Sequence, residues 1–170
     1  RRKADFGDQK PTGGDWTDAE FKAQCGVKFL ACGRGQSPRG LRDREARPDY
    51  IVIDDLDDDE LCKNEKRVRE LTSWVKSALF GSLDVGRGRF IMVGNLISKN
   101  SVLFNIAHTK GVFLSKVYAV DKNGDPTWQE KWTREEVDAY REFVGYRDWN
   151  KEMMHNTMKD GTIFRHDWIK

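Results

Sequence analysis

The most constraining feature of this chain is a short apolar run, Tyr50-Ile51-Val52-Ile53, bounded by Pro48 on one side and two carboxylates, Asp54 and Asp55, on the other. A run of this length, rich in β-branched residues and without polar alternation, reads as a strand buried on both faces of a parallel sheet. Phe90-Ile91-Met92-Val93 is a second run of the same kind. Between them, over about residues 61–80, Val68, Leu71, Val75, Ala78 and Leu79 fall on one helical face, with lysines and arginines opposite. Strand, helix, strand in that order predicts an α/β fold: a parallel sheet with flanking helices and right-handed crossovers.

The remaining punctuation extends this pattern. Thr17 with Glu20 forms a capping-box pair for a short helix ending near Cys25, with Gly26 placed to stop it. Val27 to Cys32 reads as a strand, followed by a loop with glycines at 33, 35 and 40. Ser101 is placed to cap a helix carrying Leu103, Ile106 and Ala107, and Val112 to Val120 reads as a further strand. Thr133 and Glu136 form a second capping box, ahead of Val137, Tyr140 and Val144 on one helical face; a last helix carries Trp149 and Met153.

Composition narrows the class. The 170 residues suffice for one core, and although 34% are charged and the mean hydropathy is −0.76, the apolar residues cluster in tight runs, a globular pattern. No apolar stretch reaches the ~20 residues of a membrane helix, and the opening Arg1-Arg2-Lys3-Ala4-Asp5 has no apolar segment behind it to make a signal peptide. Three cysteines, Cys25, Cys32 and Cys62, match no zinc spacing and read as buried thiols of a reducing compartment. The net charge of +2 says little, but its distribution says more. Arg34, Arg39, Arg42, Arg44 and Arg47 crowd one loop, and six of the seven residues from Asp54 to Glu60 are acidic. A basic loop followed by an acidic knot suggests an edge that handles phosphate and metal.

Ligand sites of open α/β sheets lie beyond the carboxyl ends of the strands, so a strand ending in two acids aims charge into that crevice. In nucleotide hydrolases of this build the first carboxylate holds Mg²⁺ and a neighbouring one orients and deprotonates water. Asp54 is therefore assigned to the metal and Asp55 to the water. Asp57, Asp58, Asp59 and Glu60 read as helix N-terminal charges rather than ligands. Asn95, after the second strand, is a candidate to contact a γ-phosphate or its water; Arg39 is a candidate phosphate or DNA contact. Arg67, with Arg69, stands where an arginine finger could reach a neighbouring subunit. Asp121-Lys122-Asn123-Gly124-Asp125 is a turn rather than a calcium loop, since position twelve is Trp132. His108, His155 and His166 are scattered and carry no catalytic signature.

The order of these motifs resembles the large terminase subunits, the ATPases that pump DNA into the capsids of tailed bacteriophages. The likeness runs from about Trp16 onward. It rests first on Arg39-Gly40 ahead of Arg47-Pro48-Asp49-Tyr50-Ile51-Val52-Ile53-Asp54-Asp55, which looks like that family's Walker B approach. Phe90-Ile91-Met92-Val93-Gly94-Asn95 stands in the position of its coupling motif, which more usually reads Gly-Thr. Trp128-Gln129-Glu130-Lys131-Trp132, then Gly145 and an aromatic segment ending in Phe164 and Trp168, resemble the close of its ATPase domain before the nuclease. The family's catalytic acid is commonly Glu; Asp55 is one methylene shorter.

The resemblance implies an incomplete P-loop ATPase fold of the RecA-like type over residues 1–146, and a linker over 147–170 leading toward a nuclease domain. It implies ATP and Mg²⁺ as cofactors, with double-stranded DNA, a portal protein and a small terminase subunit as partners. It also implies a homo-oligomeric ring, in the host cytoplasm and transiently at the capsid portal. No Gly-x-x-x-x-Gly-Lys-Ser/Thr occurs; Gly33 to Gly40 is glycine-rich but lacks the lysine and contains Pro38. The phosphate-binding loop is therefore expected ahead of Arg1. Two other readings stand beside this one: another Mg²⁺-dependent nucleic-acid enzyme, helicase-like or nuclease-like, and a non-catalytic prophage remnant that only binds partners.

Overall fold

A computed structural model describes residues 19–36 and 47–157. The chain divides into two compact units, 1–40 and 41–170.

In the first unit, strands β1 (Glu20–Lys22) and β2 (Lys28–Leu30) form an antiparallel hairpin. This corrects the helix expected from Thr17 to Cys25. Phe21 lies opposite Phe29 with the rings stacked 4.6 Å apart, and Lys28 pairs with Glu20 at 2.7 Å. Cross-strand pairs of this kind outweigh a capping-box pattern that depends on local signals alone. Gly26 does end an element, as a turn residue with φ of +87°, a conformation costly for other residues.

The second unit is built on β3 (Tyr50–Asp54) and β4 (Arg89–Val93), paired in parallel with Tyr50 opposite Arg89 and Asp54 opposite Val93. The predicted α/β character and parallel pairing are both present, in a small two-stranded sheet. The crossover between the strands is helical: α1 (Asp59–Cys62), α2 (Glu65–Trp74), a π-type turn (Val75–Leu79) and a 3₁₀ turn (Phe80–Ser82). The single helix expected over 61–80 is thus interrupted at Lys63-Asn64, where the Asn64 side chain accepts the amide of Arg67 and starts α2 anew. Downstream lie α3 (Val102–Ala107), α4 (Arg134–Asp148) and a second π-type turn (Trp149–Met153).

One face of the sheet carries the core. Ile53, Leu61, Val68, Val75, Leu79, Val102 and Ile106 are buried together, with Ile51, Phe90 and Met92 packed against them. The opposite face, with Tyr50, Val52, Ile91 and Val93, is exposed, so the strands are not buried on both sides as their composition suggested. Among the described residues Val112 to Val120 forms no strand; an isolated bridge joins Val120 to Pro126, and Phe113 and Val117 are exposed. β-propensity reports fit to a sheet surface, and here no described strand lies alongside to supply one.

Both downstream caps form as expected. Ser101, fully buried, accepts the amide of Phe104, and Thr133 and Glu136 exchange the two hydrogen bonds of a capping box. Helix α4 kinks at Gly145, whose φ is +79°. Beyond it Trp149 is buried, edge-on to Tyr140 and beneath the Arg141 guanidinium. No helix among the described residues is long and apolar enough to cross a membrane.

A candidate site at the carboxyl ends of the parallel strands

Where β3 and β4 end, the ladder continues one step, with the Asp55 amide donating to the Val93 carbonyl at 3.1 Å. Asp55 adopts a left-handed conformation, φ +44°, which turns the chain out of the sheet. Its carboxylate comes to rest beside Gly94: a Cβ at Gly94 would stand 3.5 Å from Asp55 Oδ1. Here a cavity of about 380 Å³ opens, lined by Asp55 to Asp59 where the chain turns from β3 into α1, by Gly94, Asn95 and Ile97 after β4, and by Lys151 and Glu152. Asp55 and Asn95, named from sequence, thus share one cavity at the strand ends. Asp54 is adjacent but not part of its lining; alternation along β3 puts Ile53 inward and Asp54 on the exposed face.

The acidic run is divided among structural tasks. Asp58 accepts the Leu61 amide at 2.7 Å and caps α1, with Asp59 and Glu60 in the first turn, as expected. Asp57 does something the sequence did not suggest: its two oxygens accept the amides of Val102 and Leu103, both at 2.8 Å, capping α3 rather than its own helix. Asp59 receives Lys151 Nζ at 2.6 and 2.8 Å. Burial pulls the Lys151 ammonium down, but the hydrogen bond and charge of Asp59, together with Glu152, leave it above the ordinary lysine range. Among the described residues no group of three or more His, Cys, Asp or Glu is arranged to hold a metal ion.

Asn95 Nδ2 donates to Glu152 Oε2 at 3.0 Å, and Lys151 Nζ lies 3.4 Å from Glu152 Oε1. The chain Asn95–Glu152–Lys151–Asp59 therefore runs across the cavity. His155 reinforces it: Nδ1 accepts from the Leu96 amide at 3.5 Å, which leaves Nε2 to donate to the Val117 carbonyl at 3.0 Å. Neither Lys151 nor Glu152 carries a local motif; only the fold brings them to the strand ends.

Arg67 and Arg69 lie apart from this cavity. Arg67 is exposed on the first turn of α2, and Arg69 pairs with Glu65 at 3.6 Å. Arg39 lies outside the described residues, as do Thr17, Phe164 and Trp168. The Asp121 loop is a side-chain-supported turn, its carboxylate accepting the amides of Asn123 and Asp125 and held below the usual range by those bonds. Cys25 and Cys32 are exposed rather than buried, and Cys62 is half-buried. Comparisons with protein-family models, curated proteins and solved structures find no match.

Proposed function

We propose that this chain is part of an ATP-driven double-stranded DNA packaging motor of the large terminase type, supplying the Mg²⁺ and water side of its ATPase site. One observation carries the reading: a parallel strand pair in register ends with Asp55 and Asn95 on one cavity, Asp54 being the last residue of β3. That is the crevice in which open α/β sheets take ligands. In this reading Asp54 holds Mg²⁺, directly or through water, and Asp55 orients the attacking water. Asn95 senses the γ-phosphate or that water.

Carboxylates suit Mg²⁺ in kind, because this ion takes one or two of them and keeps several waters and phosphate oxygens, but Asp54 stands on the exposed face beside the cavity rather than in its lining. They do not by themselves fit a nucleotide. Affinity for ATP in such enzymes comes from backbone amides and a lysine wrapped around the phosphates, and the 170 residues contain no such motif. The proposal therefore places the phosphate-binding loop outside them.

The test is ATP turnover by the polypeptide that joins this chain to its phosphate-binding loop. Asp54→Asn keeps the shape and removes the charge. Turnover is expected to fall by at least about a hundredfold, the scale of losing electrostatic transition-state stabilisation. Near-normal turnover in that variant would overturn the assignment.

A further inference from the structure

The contacts of the segment after α4 differ in kind from those of the core. Trp149 is its apolar anchor, 3% exposed. From Lys151 to His155 most described tethers are polar: Lys151 to Asp59, Glu152 to Asn95, the Met153 carbonyl to the Ala119 amide, and His155 to Leu96 and Val117, with the His155 ring also edge-on to Tyr118 and Met153 and Met154 half-buried. Asp59 is 68% exposed and the Glu152 side chain 41%, so solvent competes for these two carboxylates.

The backbone here is equally distinctive. Gly145 interrupts α4 with a φ that L side chains avoid, and a π-type turn spans Trp149–Met153. Such turns interrupt the regular ladder and occur frequently at functional sites. His155 is itself left-handed, with φ +48°, and is held so by its two ring contacts. A segment held chiefly by polar contacts, two of them to solvent-exposed carboxylates, with an irregular backbone and one side lining a cavity, has the construction of a part that moves as a unit.

We infer that residues 150–155 are a movable wall of the strand-end cavity, latched by Glu152 on Asn95 and pivoting between Gly145 and the Trp149 anchor. Glu152 is then a positioning residue. A carboxylate only accepts, so its bond fixes Nδ2 of Asn95 toward the wall and leaves Oδ1 as the acceptor for a ligand or water. Any group that takes the Nδ2 donor in place of Glu152 unlatches the wall. A phosphate oxygen is such a group, and its negative charge also disfavours the neighbouring carboxylate. On the ATPase reading, this links the state of the γ-phosphate to the segment that follows α4. That link rests on the reading; the latch does not.

The test is amide hydrogen exchange in the 170-residue chain without nucleotide, comparing wild type with Asn95→Ala, Glu152→Ala, Glu152→Gln and the double alanine variant. Each single alanine is expected to speed exchange of the protected amides over 150–156 by about tenfold, the effect of losing one charge-assisted hydrogen bond. The double variant should add nothing to Glu152→Ala, since that change already removes the Asn95 bond along with the Lys151 contact. Glu152→Gln should stay near wild type, because its amide oxygen still accepts from Asn95. Amides of Ile51 to Asp54 should keep their protection in every variant. Unchanged exchange over 150–156 in both single variants overturns the latch; equal loss of protection in β3 overturns the movable wall and makes Glu152 a general structural residue. Because no nucleotide is present, either failure leaves the ATPase reading to be decided by the turnover of Asp54→Asn.

Discussion

The carboxylate of Asp57 sits on the backbone amide of Val102, 2.8 Å away and 45 residues further along the chain, and its second oxygen takes Leu103 at the same distance. The first turn of a helix leaves its amides without intrahelical partners, and here two of them are satisfied from the strand-end turn. This bond joins the two loops that carry Asp55 and Asn95. Asp57→Ala is expected to cost about 2 kcal/mol, between a lost N-cap and a lost charge-assisted pair. Asp57→Asn, which keeps one acceptor, should recover part of it. Urea unfolding measures both. A change within about 0.5 kcal/mol for the alanine variant would make this an ordinary surface contact.

What was legible in the sequence was local. Tyr50 to Ile53 announced its strand, and Ser101 and the Thr133–Glu136 pair announced their helices, because in each case the signal and its partner lie within a few residues. What failed needed distant partners. Glu20 to Lys22 became a strand because Phe29 stands opposite Phe21, and Val112 to Val120 stayed irregular because no described strand lies beside it. The site divided in the same way. The composition of one strand end pointed to Asp55, and the turn after the next to Asn95. Asp57 capping a remote helix, and Lys151 and Glu152 reaching back across 92 and 57 residues, have no sequence signature short of the fold itself.

Asp55 adopts φ +44°, which asparagine tolerates and β-branched residues resist. Asp55→Asn should therefore fold like wild type, whereas Asp55→Val should lose about 1–3 kcal/mol through backbone strain. In the phosphate-loop-bearing polypeptide, Asp55→Asn is expected to block ATP hydrolysis while leaving nucleotide affinity nearly intact, since the defect lies in the transition state. Turnover and nucleotide titration together check this. A parallel loss of both would assign Asp55 to ground-state binding instead.

The Cys62 thiol is perturbed: burial first, then the carboxylates of Asp57, Asp59 and Asp58, raise it to about 11. The thiolate is the reactive form. Iodoacetamide at pH 8 should label the exposed Cys25 and Cys32 while sparing Cys62, with Cys62 reacting once the chain is unfolded in urea. The linked effect on stability has a definite sign. A folded value above the unfolded one favours the neutral thiol in the fold, so its contribution is complete below about pH 8.5 and is lost as pH rises toward 11. Cys62→Ala should remove that part of the alkaline decline. Rapid labelling of folded Cys62 at pH 8, detected by peptide mass, would contradict the burial of the thiol.

The outer face of the sheet sets the last expectation. Val52 and Val93 are 53% and 52% exposed, with Ile91 and Tyr50 beside them, on a strand pair with no other described strand alongside. Parallel sheets are ordinarily covered on both faces, and an uncovered apolar face with open strand edges is a template for association. The 170-residue chain alone should therefore self-associate, and sedimentation velocity should show a mass that grows with concentration. Val52→Lys and Ile91→Lys place charge on that face without touching the core side of the sheet, where Ile51, Ile53, Phe90 and Met92 lie. Each should shift the chain toward monomer while leaving its unfolding midpoint within about 0.5 kcal/mol of wild type, the range of surface substitutions. Association that persists unchanged in the double lysine variant would trace to other exposed apolar residues, Phe113 and Phe143 first, at 91% and 88% exposed.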